Sequence, residues 1–292
     1  MARRPEFTSF GGADGPLGAL RWEGITGAPT VVALHGITGN AWDFDPLVHR
    51  LGGAAHLVAL DLRGRGRSYD HPGPFGVREH AADLIAVIGQ IGGPVVVVAH
   101  SMGCYVALLA ARRAPELIAE LILVDGGPAL PVPDGVDLDD VVENTLGPAI
   151  KRLKHVWPDR VSYNTMWAQH PAFRGRLSID LERNLLADLI EVDGGFRAAV
   201  NPAAVRIDGR ELLADREVRS LLAERHEPAV IVRAAHGLDG APPPLISRSL
   251  AERYPQHRWV EAPDDNHYTV LLGSTGAELV AGLVREALTA TR

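Results

Sequence analysis

Short apolar runs alternate with longer segments of helical periodicity in the first and last parts of the chain. Runs rich in β-branched residues predict strands at residues 17–22, 30–34, 56–60, 94–99, 121–125, 229–233 and 258–260. Apolar residues three or four apart predict helices at residues 42–51, 77–91, 102–113 and 268–289. This alternation is typical of a mostly parallel sheet flanked by helices. The strand at residues 17–22 is expected to lie antiparallel at the sheet edge.

The middle of the chain has a different pattern. Residues 128–225 contain no convincing buried strand and are filled by helical patterns such as residues 177–192. A helical insertion between two strands of one sheet is typical of a cap, because ligands bind where the carboxyl ends of the strands open. We therefore expect a core domain formed by residues 1–127 and 226–292, with a helical cap at residues 128–225.

Composition and charge narrow the class of protein. Of the 292 residues, 46% are hydrophobic and 22% are charged, as in ordinary globular enzymes. The net charge of −7, with scattered basic residues, disfavours nucleic acid as a partner, because phosphate binding needs clustered Lys and Arg. No apolar run has the length of a secretory signal or a membrane span, so we expect a cytoplasmic protein without a membrane partner.

The sequence gives no support for a metal or a cofactor. Its single cysteine, Cys104, excludes an internal disulfide. The chain has neither a Cys/His cluster nor a His-Glu-x-x-His motif, and the loop around Gly64 and Gly66 lacks the third glycine of a dinucleotide fingerprint. The expected partner is therefore a small-molecule substrate alone.

A serine lies between the most strand-like run and an Ala/Leu-rich helical segment. Residues 98–103 read VAHSMG, with Ser101 at the turn. This setting is typical of the nucleophile elbow, G-x-S-x-G, in which a strained turn lifts the serine clear of the sheet. Ala99 replaces the first glycine with the next smallest residue, and Gly103 keeps the second. The alternative is that Ser101 only caps the following helix.

A glycine-containing loop directly follows the strand at residues 30–34. It reads HGITG over residues 35–39, and its glycines permit a backbone that turns an N–H toward a substrate carbonyl held at the serine. We expect the N–H groups of Ile37 and Met102 to form an oxyanion hole. Thr38 is a candidate contact to the substrate, whereas His35 is expected to be structural.

Between these motifs, residues 61–68 read DLRGRGRS. In this order and spacing, the three motifs resemble those of the α/β-hydrolase superfamily, over essentially the whole chain. The resemblance implies a mostly parallel eight-stranded sheet flanked by helices, with an inserted helical cap. It also implies a structural role for Asp61 and Arg63 in their loop. Ser101 argues against the dehalogenases and epoxide hydrolases of this fold, which carry aspartate at the elbow.

The same resemblance indicates the other catalytic residues, because the family order is serine, acid, histidine. His267 follows a predicted strand and a short polar loop and precedes the last helix. It is expected to take the proton of Ser101 and return it to the leaving group. The expected acid is Asp239, after the strand at residues 229–233, with Asp125 as the alternative, since some relatives supply the acid from that position.

The motifs predict a serine hydrolase that cleaves a carboxylic ester or lactone of a small to medium, apolar substrate through an acyl-enzyme on Ser101. Alternatives with nearly the same residues are C–C bond hydrolysis of ring-fission products, lyase or cofactor-free oxygenase chemistry, and a ligand-binding receptor on a hydrolase scaffold. In the cap, Tyr163, Met166 and Trp167 are candidate pocket residues, although aromatics at such spacings more often form a cap core.

Overall fold

The computed structural model describes residues 4–132, 135–187 and 189–290. The strands of this part of the chain are β1 (Glu6–Gly11), β2 (Pro16–Trp22), β3 (Thr30–Leu34), β4 (His56–Leu60), β5 (Val95–His100), β6 (Ile118–Val124), β7 (Leu189–Val192), β8 (Gly195–Ala198), β9 (Val230–His236) and β10 (Arg258–Asn266). Eight of them form one sheet in the order β1-β2-β4-β3-β5-β6-β9-β10. From β4 to β10 the neighbours in this order run parallel, while β1 and β2 pair antiparallel at the edge.

Helices cover both faces of this sheet and also fill the segment between β6 and β9. This segment is called the cap below, and the rest of the chain is called the core. In the described residues the helices are α1 (Asp45–Leu51), α2 (Val77–Ile91), α3 (Met102–Arg113), α4 (Leu138–Leu153), α5 (Arg160–Gln169), α6 (Ile179–Ala187), α7 (Pro202–Ala214), α8 (Arg216–Glu224), α9 (Arg248–Ala251), α10 (Thr269–Leu272) and α11 (Ser274–Ala290). The α/β fold with an eight-stranded, mostly parallel sheet, predicted from the sequence motifs, is thereby confirmed.

The alternation of side chains along β3 explains how the sequence builds these layers. Val32 and Leu34 pack on one face of the sheet with side chains of α2 and α3, whereas Val31 and Ala33 pack on the other with α1 and α11. All four are fully buried. A strand that is apolar on both faces belongs at the centre of a parallel sheet covered by helices, and β3 lies there.

The structure corrects two sequence predictions about secondary structure and adds a strand that was not predicted. The helix predicted at residues 177–192 ends at Ala187, and β7 and β8 form an antiparallel hairpin in the cap, with positive φ at Gly194 and Gly195. The helix predicted at residues 268–289 is divided at Gly273 into α10 and α11. The edge strand β1 was not predicted, because its side chains are largely exposed and form no apolar run.

Polar contacts join the inserted segment to the core. Glu211 on α7 accepts a hydrogen bond from the N–H of Val77, where α2 begins, at 2.7 Å. Asp215 binds Arg78 at 2.7 Å, and Asn184 on α6 donates to Asp45 of α1 at 3.3 Å. The segment therefore contacts the core from several sides. No helix among the described residues is both long and apolar enough to cross a membrane.

Candidate active site

Ser101 occupies a strained turn between β5 and α3. Its φ of 53° and ψ of −118° are unusual for a residue with a side chain. The turn is closely packed, because a Cβ at Gly103 would come within 2.5 Å of the Leu34 oxygen, and one at Gly126 within 2.4 Å of the Ser101 oxygen. These glycines permit the tight approach that a nucleophile elbow requires.

His267 lies between β10 and α10 and faces the serine. Its Nε2 is 3.1 Å from Oγ of Ser101. The preceding residue, Asn266, fixes the loop, since its Oδ1 accepts hydrogen bonds from the N–H groups of Tyr268 and Thr269 at 2.9 and 3.0 Å. The imidazole is thus within hydrogen-bond distance of the Ser101 hydroxyl, whose proton it would have to take.

Asp125 completes the arrangement from the end of β6. Its Oδ2 accepts a hydrogen bond from Nδ1 of His267 at 2.7 Å, and its Oδ1 accepts one from the N–H of Ala234 at 3.1 Å. The carboxylate is fully buried. Since Nδ1 donates to Asp125, Nε2 of the neutral ring carries the lone pair that faces Ser101.

The preference for Asp239 as the acid is corrected by this geometry. Asp239 is exposed, in a turn after β9 in which Gly240 donates to the oxygen of Gly237 at 3.1 Å. No hydrogen bond joins Asp239 to His267 in the described part of the chain, whereas the alternative, Asp125, contacts it directly. The turn carries Asp239 toward the cap, where its charge acts on His170.

His100, next to the serine in sequence, lines the same site and contacts His267. Its Nε2 donates a hydrogen bond to the main-chain oxygen of His267 at 2.8 Å, and the two rings lie 4.8 Å apart. Burial, reinforced by the neighbouring His267, lowers the pKa of His100 to about 3. The ring is therefore neutral, and the bond assigns its proton to Nε2.

The loop predicted to form the oxyanion hole passes directly beside the serine. A Cβ on Gly36 would lie 3.1 Å from Cβ of Ser101. The Gly36 oxygen accepts hydrogen bonds from Nδ1 of His35 and the N–H of Gly39, at 2.7 and 3.1 Å. Because the two polar groups of a trans peptide point in opposite directions, the N–H of Ile37 is directed away from these partners.

Arg65 holds the other side of this loop, a contact that sequence analysis missed. Its Nε and Nη2 donate to the main-chain oxygen of Ile37 at 3.1 and 2.9 Å. Its Nη1 lies 2.5 Å from Oδ2 of Asp208 on α7, which His80 also contacts at 3.2 Å. The side chains of Arg65, Asp208 and His80 are fully buried.

Electrostatics agree with a buried ion pair at this position. Burial raises the pKa of Asp208, but the charges of Arg65 and His80 outweigh that effect, so that the net pKa lies below the usual value. The carboxylate therefore remains ionised beside the guanidinium. The sequence does not indicate that Arg65 is buried and paired, because its partner Asp208 lies far along the chain, on α7 of the cap.

Asp61 and Arg63 hold the rest of the motif loop. Asp61 accepts hydrogen bonds from the N–H groups of Ala41 and Arg67, at 2.8 and 3.0 Å. Arg63 makes a two-point ion pair with Asp83, at 2.6 and 2.7 Å. Both contacts lie within the core domain and connect the loop to its neighbours.

A cavity of about 130 Å³ opens above the serine, between the core and the cap. Its walls include Ser101, His267 and three of the predicted substrate contacts, Thr38, Tyr163 and Trp167. Met166 does not line it, which corrects that prediction. Met166 instead packs against the aromatic core of the cap and borders a separate outer groove.

Within residues 4–132, 135–187 and 189–290, no three His, Cys, Asp or Glu side chains are grouped so that they could hold a metal ion. The described side chains that line the cavity include the hydroxyl of Ser101, the imidazoles of His100 and His267 and the carboxyl of Asp43, and the buried carboxylate of Asp125 lies behind His267.

Known proteins show which family this arrangement belongs to. The profile of the alpha/beta hydrolase family matches residues 31–282. A 2-(acetamidomethylene)succinate hydrolase of Mesorhizobium japonicum is 25% identical over 214 residues, which cover 71% of this chain and 73% of that protein. An esterase of Mycobacterium tuberculosis is 37% identical over 117 residues, which cover 39% of this chain and 38% of the esterase.

Solved structures agree with the fold. The crystal structure of E-2-(acetamidomethylene)succinate hydrolase has a TM-score of 0.79 at 20% identity, covering 98% of this chain and 100% of that one. A thioesterase domain from the curacin biosynthetic pathway has a TM-score of 0.68 at 21% identity, covering 97% and 99% of the two chains. Since the family profile matches most of its length, this chain belongs to the alpha/beta hydrolase family.

Proposed function

We propose that this protein is a serine hydrolase that cleaves small carboxylic esters or lactones through an acyl-enzyme on Ser101. The observation that carries the proposal is the continuous hydrogen-bonded chain from Ser101 Oγ to His267 at 3.1 Å and from His267 to Asp125 at 2.7 Å. This arrangement of hydroxyl, imidazole and buried carboxylate activates a serine for attack on a carbonyl carbon.

In the proposed reaction, Ser101 Oγ attacks the ester carbonyl while His267 Nε2 takes its proton. The imidazolium that forms is stabilised by Asp125, which does not itself take the proton. The developing oxyanion is bound by the N–H groups of Ile37 and Met102. The tetrahedral intermediate collapses as His267 returns the proton to the leaving alcohol, which departs and leaves an acyl-enzyme.

Water then resolves the acyl-enzyme by the same steps. His267 takes a proton from the water as its oxygen attacks the acyl carbon, and returns it to Ser101 as the second intermediate collapses. The products are the acid and the free enzyme. With a lactone, both the hydroxyl and the carboxyl end of the opened ring leave as one molecule.

The size of the cavity supports a small substrate. An engineered cavity of about 150 Å³ holds one benzene molecule, and the cavity here is about 130 Å³. The relative from Mesorhizobium japonicum is named for a dicarboxylate substrate. None of the described residues that line the present cavity is Lys or Arg, so we do not extend that substrate to this chain.

Turnover of an ester panel tests the proposal. We expect short-chain, aryl or lactone esters to be hydrolysed by the wild type, and the Ser101→Ala variant to lose this activity. Failure of the wild type on all three ester types would contradict it. Turnover of a vinylogous diketone alone would instead support C–C hydrolysis, and a single slow acylation with a ligand-dependent rise in melting temperature would support a receptor.

A further inference from the structure

The cavity above Ser101 has a polar corner formed by Asp43 and Asn184. Asp43 lies on the short 3-10 helix Ala41–Phe44 of the core, and Asn184 lies on α6 of the cap, which packs against that helix. Both side chains line the cavity. The remaining cap walls are mainly aromatic and aliphatic, so this corner is where a polar group of the substrate would be recognised.

Asn184 carries an acceptor that none of the described residues uses. The residue is only 4% exposed, and its Nδ2 donates to Oδ2 of Asp45 at 3.3 Å. Its Oδ1 is buried and has no hydrogen-bond partner among the described residues. Because the Asp45 carboxylate accepts from Nδ2, the amide cannot be reversed without placing two oxygens together. A buried unpaired acceptor is costly, and a ligand donor would relieve that cost.

His100 supplies a second acceptor of the same kind at the same cavity. Since Nε2 donates to the His267 oxygen, Nδ1 carries a lone pair. This Nδ1 is buried and has no partner in the described part of the chain. Among the described lining residues, Trp167 also has a buried polar atom without a partner, its Nε1–H donor. Asn184 and His100 thus call for donors on the ligand, whereas Trp167, among the cap aromatics, calls for an acceptor.

Asp43 is partly accessible and lines the cavity. Its Oδ2 accepts a long hydrogen bond, 3.3 Å from the N–H of Asn40, as part of the capping box of the short helix Ala41–Phe44. Burial raises the pKa of Asp43 to about 7, with Asp61 adding to the rise. The carboxyl can therefore accept from a ligand donor when ionised and remains a hydrogen-bonding group when neutral.

The charges of the side chains that line the cavity also disfavour an anionic ligand. Asp43 is the one carboxyl among the described lining residues, and these include no Lys or Arg to balance an anionic ligand. Arg152 lies near the cap aromatics, with its guanidinium 4.6 Å from the ring of Trp167, but it does not line the cavity. A substrate carboxylate would lose its hydration beside a carboxyl without gaining a counter-charge.

We propose that this cavity binds a neutral substrate that carries a hydroxyl or amide N–H donor, held by Asp43 and Asn184, and that it rejects substrates with a carboxylate at that position. The inference rests on the proposed function, since it takes Ser101 as the attacking atom. It adds the chemical class of the substrate: small esters with a hydroxyl or acylamino group in the part that fills the cavity.

Two matched sets of esters test this proposal. The first is phenyl butanoate, phenyl 3-hydroxybutanoate and phenyl hydrogen succinate, which vary the acyl group. The second is butyl acetate, 4-hydroxybutyl acetate and 4-acetoxybutanoate, which vary the alcohol. In one of the two sets, kcat/KM is expected to be about tenfold higher for the hydroxyl ester than for the apolar one, and lowest for the carboxylate.

Substitutions test whether Asp43 and Asn184 cause the preference for the hydroxyl ester. Asp43→Leu and Asn184→Leu are each expected to remove the preference for the hydroxyl ester. Arg183→Leu is the matched control, because Arg183 also binds Oδ2 of Asp45, at 3.0 Å, yet does not line the cavity. It removes a comparable contact between cap and core, and we expect it to keep the hydroxyl preference.

A binding measurement makes the test independent of turnover. The melting temperature of Ser101→Ala is recorded with 3-hydroxybutanamide, butanamide and succinamate at matched concentrations. The largest rise is expected with the hydroxyl ligand. Absence of all ester turnover in the wild type contradicts the proposed function, and these shifts then decide the ligand preference alone. A larger shift or faster turnover with the carboxylate compound, or a hydroxyl preference that both Leu variants retain, would overturn the inference.

Discussion

Arg65 donates two hydrogen bonds to the main-chain oxygen of Ile37, from Nε at 3.1 Å and from Nη2 at 2.9 Å. The same guanidinium binds Asp208 of the cap helix α7 at 2.5 Å. One buried charge thus connects the loop beside the serine to the cap. We interpret Arg65 as a positioning residue that fixes the loop whose N–H groups would stabilise the oxyanion.

Arg65→Met is therefore expected to lower kcat more than it raises KM. Loss of one oxyanion donor costs about 10²- to 10³-fold in kcat, and a loosened loop is expected to lose part of that. Asp208→Asn is the control, since it removes the negative charge of Asp208 but keeps the hydrogen bonds from Arg65 to Ile37. Steady-state kinetics of folded protein measure the difference, and equal losses of kcat in both variants would show a general structural effect instead.

The free energy of unfolding tests the buried ion pair between Arg65 and Asp208. Arg65→Met leaves the Asp208 carboxylate buried without its main partner, and removing one member of a buried pair costs about 3–5 kcal/mol. The double variant Arg65→Met/Asp208→Asn should recover part of the free energy of unfolding, because no buried charge is left unpaired. Denaturant titration measures this, and the absence of any recovery would argue against the ion pair as the cause.

The two candidate acids are distinguished by matched substitutions. Asp125→Asn is expected to lower kcat by about 10⁴-fold, as the equivalent change does in a serine protease, because it favours the wrong tautomer of His267. Asp239→Asn should change kcat little, since that side chain lies exposed in its turn. A loss in Asp239→Asn that matched the loss in Asp125→Asn would contradict the assignment.

The pH dependence of stability tests the burial of Asp43. Its folded pKa is raised from 3.8 to about 7, chiefly by burial. The folded state therefore binds a proton that the unfolded state releases, and the stabilisation is present below pH 3.8 and is lost as the pH rises toward 7. Relative to Asp43→Asn, the wild type should lose melting temperature over this range. A difference in melting temperature between wild type and Asp43→Asn that stayed constant with pH would contradict the raised pKa of Asp43.

Most of the fold could be predicted because its signals are local. The central strands are continuous apolar runs, and Ser101, Gly36 and His267 each lie at a junction that a strand and its next helix define. The cap hairpin was missed because its residues continue the helical spacing of α6. The turn at Gly194 and Gly195, where φ is 87° and 146°, ends that pattern.

The acid and the arginine contact could not be predicted for another reason. Asp125 and Asp239 both follow a buried strand, and only the three-dimensional path of the two loops decides which one meets His267. Arg65 and Asp208 lie in different units of the chain, so their pairing depends on how the cap docks. Tertiary contacts of this kind leave no periodic signal in the sequence.

The central claim is that Ser101 is activated by His267, and intact-mass spectrometry after treatment with a fluorophosphonate tests it most directly. The wild type is expected to gain the mass of one adduct, Ser101→Ala none, and His267→Gln an adduct only at a much lower rate. An unmodified wild type, or an adduct that persists in Ser101→Ala, would contradict the assignment of Ser101 as the nucleophile.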